Sequence, residues 1–306
     1  MQVETSFTSI LAKSERPLMF LAGPEDELAC SGILQRLRKS IRVVFMTDGD
    51  GPARSTGEDP VRYTAIRKAE TLRSLETAGV PDGQVRFLGY SEIEILRNIT
   101  SVKKAPLRLS EAVAFFEPIR RSMAEAVYEF RPDVAFAVAY QGGHPEHDLA
   151  HFFGALALRN YAKDAETEIP LYQFPEYFLT SFLPGRLRPA PPGESYWIVL
   201  DTQEWNTKER MADCYGSEHS GIRKFRRMVG LATLPQRIVR RGNPLERFFG
   251  REQMSIVPRD FDYGRVPYRL DFLNYFFEDF EGTPITFQDC VRPLVVAFEE
   301  ASGRVN

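Results

Sequence analysis

The chain has 306 residues, 43% of them apolar and 26% charged, with a formal net charge of −3. That composition is ordinary for a folded protein with a sizeable core, and the charge balance gives no electrostatic ground for a nucleic-acid partner. Cys30, Cys214 and Cys290 make neither a disulfide framework nor a CxxC zinc motif, no apolar run approaches the roughly 20 residues of a membrane span, and the N-terminus lacks the order of a signal peptide, so the expected location is the cytosol.

Taken in chain order, the apolar run over 17–22 predicts a buried strand, followed by Pro24-Glu25-Asp26-Glu27. Leu28, Ile33, Leu34 and Leu37 recur at helical spacing and predict a helix over 26–38. A second strand over 41–46 ends in the polar turn Thr47-Asp48-Gly49-Asp50-Gly51. A helix from Pro60 to Ala78, capped by Gly79, carries Arg67 and Glu70, and a short strand over 84–88 follows. After an amphipathic stretch over 109–130, the run 134–140 reads as another buried strand, leading at once into Gln141-Gly142-Gly143-His144-Pro145-Glu146-His147.

Strands alternating with helices predict an α/β fold, Rossmann-like, with a mostly parallel sheet and helices on both faces. Both acid and histidine clusters then follow parallel strands, at the edge where open α/β sheets bind ligands. Three of the four histidines (His144, His147, His151) fall between 144 and 151, a concentration that asks for chemistry. The alternation ends near residue 225, which divides the chain into a 1–225 α/β domain and a 226–306 extension rich in aromatics, among them Phe261, Tyr263, Tyr268, Phe272, Tyr275 and Phe280, expected to pack on it. The basic stretch at 223–227 with Arg237, Arg240 and Arg241 reads as a solvated helix face. No GxGxxG or GxxxxGK[ST] follows any strand, which disfavours a nucleotide-binding protein.

A strand followed by AGPEDE, a strand ending in TDGD, a helix with Arg67-Lys68-Ala69-Glu70, and HPEH after a later strand together resemble the PIG-L or LmbE-like family of metal-dependent N-acetyl-sugar deacetylases, in order and spacing over roughly the first 220 residues. Smaller echoes are Val85-Arg86-Phe87-Leu88-Gly89-Tyr90, and Lys208 with Tyr215-Gly216-Ser217-Glu218. The resemblance implies zinc or another divalent metal held by Asp26 and His147, Glu25 as general base, and His144, steadied by Glu146, as acid or carbonyl polariser. It also implies that Arg67 contacts substrate, with Asp48 and Asp50 on a loop beside it. The substrate it implies is a small N-acyl amino sugar or glycoconjugate, and self-association into a homo-oligomer stays open.

This sequence departs from the family's AHPDDE motif at two positions. Gly23 stands where the family has a metal-binding histidine, and Glu25 is one methylene longer than the family's aspartate base. Asp26 and His147 are then the inherited ligands. His151, Glu25, Glu27 or Asp48 are candidates for the vacant position, although His151 reads more simply as a helix residue packed or solvated near the site, and Glu25, Asp26 and Glu27 could merely complement a helix dipole. Two functions therefore stand side by side: a metal-dependent hydrolase that removes an N-acyl group, acetyl first, and a non-catalytic descendant that has lost metal and binds a sugar-like ligand or a protein.

Overall fold

The computed structural model describes residues 10–175, 195–217, 249–265 and 274–303. The basic stretch 223–241, His219, Phe248, Tyr268 and Phe272 lie outside the described residues.

Strand β1 (Pro17–Leu21) is buried at every position, and its side chains alternate between two cores. Leu18 and Phe20 face one side, Met19 and Leu21 the other, the period-two pattern of a strand covered on both faces. A 3-10 turn (Asp26–Cys30) leads into α1 (Ser31–Leu37), then come β2 (Arg42–Thr47), a short α2 (Ala53–Thr56), α3 (Pro60–Thr77) and β3 (Val85–Tyr90). Helix α3 starts where its sequence says it should. Asp59 caps it by accepting the Arg62 N–H at 2.9 Å, and Pro60 takes the first position, where no N–H is needed.

Helices α4 (Glu92–Lys104) and α5 (Leu109–Phe130), strand β4 (Val134–Val138), helix α6 (Pro145–Asp164) and strand β5 (Leu171–Phe174) follow. Strand β6 (Ser195–Val199), helix α7 (Thr202–Asp213), strand β7 (Arg251–Ile256), the hairpin β8 (Asn274–Phe280) and β9 (Thr283–Thr286), and helix α8 (Arg292–Ala301) complete the described elements. The hairpin turns through Glu281 and Gly282, both with positive φ, as a two-residue primed turn requires.

The sheet runs in the order β3-β2-β1-β4-β5-β7-β6. The first five strands of that row pair in parallel, and β7 lies antiparallel to both of its neighbours. One core packs α4, α5, α6 and α8 against the sheet, and the other packs α1, α3 and α7, so helices cover both faces. Tyr263, Tyr275, Phe280 and Phe287 from the C-terminal stretch are buried in the first of these cores. The helix expected over 26–38 is divided, because the Asp26 carboxylate turns back on the preceding strand end and keeps the first turn tight. No helix among the described residues is long and apolar enough to cross a membrane. The three cysteines are free, with Cys30 and Cys290 buried.

Chain order reverses between β1 and β4. A crevice opens outside the carboxyl ends of two strands at such a switch point, because their connections leave in opposite directions. AGPEDE follows β1 and HPEH follows β4.

Candidate active site

The loop after β1 is built around a buried carboxylate. Asp26, 3% exposed, accepts the N–H groups of Ala22 at 2.7 Å and Gly23 at 2.9 Å on one oxygen, leaving the other for the crevice. Glu25 sits in left-handed backbone with φ 82°, a conformation that costs a non-glycine residue roughly 1–2 kcal/mol. Its N–H donates to the Tyr215 hydroxyl at 3.0 Å, and its carboxylate lies 3.3 Å from the Arg67 guanidinium. Arg67 also donates to the Pro24 carbonyl at 3.0 Å and lies over the Tyr215 ring. It is only 3% exposed, and the contacts named here tie it to the loop.

The loop after β4 has its own buried carboxylate. Asp148 accepts the N–H groups of Gln141 and Gly142 at 3.0 and 3.1 Å, and the Tyr275 hydroxyl at 2.8 Å on its other oxygen. Burial pushes its carboxyl up to about 6, against those donors, which act to lower it. Gly142 takes φ 71°, and His144 stands just before α6, with Pro145 as the helix's first residue. His144 pairs with Glu146 at 3.1 Å, and the side chain of His144 keeps 20% exposure. Burial works upward on the Glu146 carboxyl, but His144, His147 and a backbone hydrogen bond together work downward and the net direction is down.

One turn further along α6, His151 is fully buried with both ring nitrogens engaged. Nδ1 lies 2.7 Å from the Val138 carbonyl, which can only accept, so Nδ1 carries the proton and Nε2 accepts from the Tyr263 hydroxyl at 3.1 Å. Burial holds this imidazole down at about 4. His151 is thus a packed helix residue that secures the end of β4.

The two loops meet at Asp26 and His147, whose Oδ1 and Nε2 lie 3.3 Å apart. Burial disfavours the imidazolium of His147, but Asp26 and Glu146 together favour it and the net direction is upward. Two corners of a tetrahedron with bonds of about 2.0 Å lie about 3.3 Å apart, so the pair has the spacing of two ligands on one zinc-sized ion. Among the described residues no third histidine, cysteine or carboxylate joins them in a metal-holding group. At Gly23 a Cβ would come 3.0 Å from the Thr47 hydroxyl oxygen, which is buried without a hydrogen-bond partner. The pair fits an ion with open coordination positions.

The loop after β2 brings two further acids, Asp48 and Asp50. Asp50 accepts the Ser91 hydroxyl at 2.5 Å and the Ile93 N–H at 3.2 Å, which fixes the start of α4. Asp48, next to it in the turn, has its carboxyl pushed up to about 6, first by burial and then by the charge of Asp50.

Residues 18–158 match the family model described as PIG-L, GlcNAc-PI de-N-acetylase. Over this segment the chain is similar to the PIG-L family. Among solved structures the chain is similar to an N,N'-diacetylchitobiose deacetylase from Pyrococcus horikoshii complexed with its inhibitor, at 15% identity over 83% of this chain and 92% of that one, TM-score 0.51. It is similar to an A40926 pseudoaglycone deacetylase at 16% identity over 79% and 97%, TM-score 0.50. A deacetylase of the teicoplanin biosynthesis pathway matches at 13% identity over 80% and 99%, TM-score 0.51. At these identities the likeness is one of fold. No curated protein matches the chain.

Around the PIG-L motifs the structure adds supports that motif reading did not assign. Glu70, on α3, accepts the Ser217 N–H at 2.9 Å and the Ser217 hydroxyl at 2.5 Å, which ties the segment after α7 to the site. Glu27 is fully buried, accepts the Ser74 hydroxyl at 2.7 Å and also the Tyr215 hydroxyl, and leaves Oε2 without a partner. In the sequence Glu27 looked like one more acid at a helix start; its signal was lost because burial depends on α3 and on Tyr215, 188 residues away.

Burial raises the Glu27 carboxyl from 4.5 to about 7. Between those values the folded protein holds a proton that the unfolded chain has released, so stability falls as pH rises through that window. Across that window the loss amounts to about 3 kcal/mol. Glu27→Gln, which keeps an oxygen acceptor, is expected to shrink that fall to the smaller share left by the raised carboxyls of Asp48 and Asp148; urea unfolding of both proteins at pH 5 and pH 7.5 measures it, and equal losses in the two would exclude Glu27 as a source.

Proposed function

We propose that this chain is a hydrolase that removes an N-acyl group, acetyl in the first instance, from an amino sugar or a related small molecule in the cytosol. The observation that carries the reading is the meeting of Asp26 and His147 at 3.3 Å across the β1/β4 switch point, beside the His144–Glu146 pair. Asp26 and His147 would hold zinc or another divalent ion. When bound, such an ion lowers the pKa of a water and polarises an amide carbonyl.

The chain's own residues supply proton traffic and positioning. Glu25, whose carboxylate keeps 28% exposure, takes the proton of the attacking water. His144, steadied by Glu146, stabilises the developing oxyanion and delivers a proton to the amine nitrogen as the C–N bond breaks. Asp48 is offered to substrate hydroxyls, while Arg67 and Asp50 hold the loops that frame it.

Gly23 favours a second reading, in which the PIG-L fold binds a sugar-like ligand or a protein without metal. The two are separated by incubating the protein with a panel of N-acetyl amino sugars and added zinc, then measuring free amine and acetate. Equimolar release that a chelator stops is expected; no release from any sugar with zinc present leaves the second reading.

Because only two donors are in place, zinc should bind weakly. Gly23→His is expected to tighten it at least tenfold by calorimetry, the more so combined with Thr47→Ala, which clears the oxygen lying 3.0 Å from the new Cβ. Unchanged affinity in both variants would show that position 23 does not face the ion.

A further inference from the structure

We infer that Tyr215 is the positioning residue for Glu25, acting through a backbone hydrogen bond that the buried Glu27 orients; this rests on the proposed role of Glu25 as base. Glu25 is the carboxylate on which the water's proton is expected to land, and its backbone is left-handed. A residue that is not glycine stays in that conformation only where its surroundings over-determine it. Pro24, just before it, is held from one side by the Arg67 donation to its carbonyl at 3.0 Å. The Glu25 N–H itself is taken by the Tyr215 hydroxyl at 3.0 Å.

Whether Tyr215 can accept depends on where its single proton goes. Two acceptors lie within its reach, the Glu27 carboxylate, which is the nearer, and Thr71 Oγ1 at 3.1 Å, whose own proton goes to the Arg67 carbonyl at 3.0 Å, so with either one the phenol oxygen is left to accept. Glu27 can accept the Tyr215 proton, and Tyr215 donates to its Oε1. The phenol oxygen then turns its lone pairs to Glu25. Glu27 is itself fixed by Ser74 at 2.7 Å, and both Glu27 and Tyr215 are fully buried. The order Ser74, Glu27, Tyr215, Glu25 therefore runs from the interior of α3 to the crevice without an exposed member until the last. Tyr215 also lies under the Arg67 guanidinium, at 5.2 Å from ring centre to Cζ, so one side chain meets both restraints on the loop.

A tyrosine that served only to fill the core would lose little as phenylalanine, since the ring and its contact with Arg67 remain. The positioning role predicts otherwise for Tyr215→Phe. Amide hydrogen exchange in the peptide covering 23–28 should quicken at least tenfold while peptides from α5 and β4 stay as in the parent. With an N-acetyl amino sugar, kcat should fall at least tenfold and KM stay within threefold. Unchanged exchange over 23–28 in a folded Tyr215→Phe protein overturns the inference. So does a fast-exchanging Glu25 amide in the parent, a result that needs no variant to fold. If the parent releases no amine from any sugar, the deacetylase reading fails, while the exchange data still decide whether Tyr215 holds Glu25.

Discussion

Asp26→Asn is expected to lower amine release at least a hundredfold while leaving the fold within about 1 kcal/mol of the parent. The asparagine oxygen can accept the Ala22 and Gly23 N–H groups as the carboxylate does, at 2.7 and 2.9 Å, so the loop after β1 keeps its anchor. The amide NH2 then faces His147 where a negatively charged oxygen stood 3.3 Å away. A neutral NH2 cannot ligate a cation, and the site loses half of its paired donors. Asp26→Ala should behave differently. It strips the buried Ala22 N–H and the half-buried Gly23 N–H of a charged acceptor, at about 1.5–3 kcal/mol for each hydrogen bond to a charged group, and unfolds at lower urea as well as losing activity. Urea midpoints and amine release on the two variants separate the chemical from the structural share of this residue. Asn and Ala variants that lose activity equally and stability equally would deny Asp26 its separate chemical role.

The largest structural effect is expected at Asp148. Asp148→Ala removes three hydrogen bonds from a fully buried position and leaves the Gly142 N–H and the Tyr275 hydroxyl without this acceptor. At about 1–3 kcal/mol for each stranded polar group, the loss should reach about 2–6 kcal/mol, a large part of a typical domain's stability. The loop 141–144 that sets His144 at the head of α6 loses its brace at the same time. Asp148→Asn, which can accept from both N–H groups and donate to the tyrosine oxygen, is expected to recover most of the loss. Guanidinium unfolding checks the ranking parent, Asn, Ala; an alanine variant within 1 kcal/mol of the parent would show that the loop is held from elsewhere.

The parts of this molecule that were legible in its sequence are those that local pattern determines. Strands β1, β2 and β4 announced themselves as short apolar runs because both faces of a central parallel strand are buried, and α3 because Asp59-Pro60 starts it and Gly79, with φ 86°, follows its end. The mostly parallel sheet followed from their alternation. Strand β7 was not visible: it pairs antiparallel between β5 and β6, and nothing local distinguishes such a strand from the Arg and aromatic mixture around it. At the site, the motifs showed which acids and histidines to watch, but not what each one touches. Arg67 and Asp50 were expected at a substrate; the structure puts one on Pro24 and Glu25 and the other on the start of α4. Asp148, Glu27 and Tyr215 are as important to the loops, yet they are defined by partners 127 and 188 residues away, which no spacing rule conveys.

The proposed chemistry depends most on Asp26 and His147 acting as one metal-holding pair. Zinc titration by calorimetry, on the parent and on Asp26→Asn and His147→Ala at neutral pH, tests this without needing the substrate. One equivalent of zinc should bind weakly to the parent and to neither variant. No binding to the parent, or binding that survives in both variants, would contradict it.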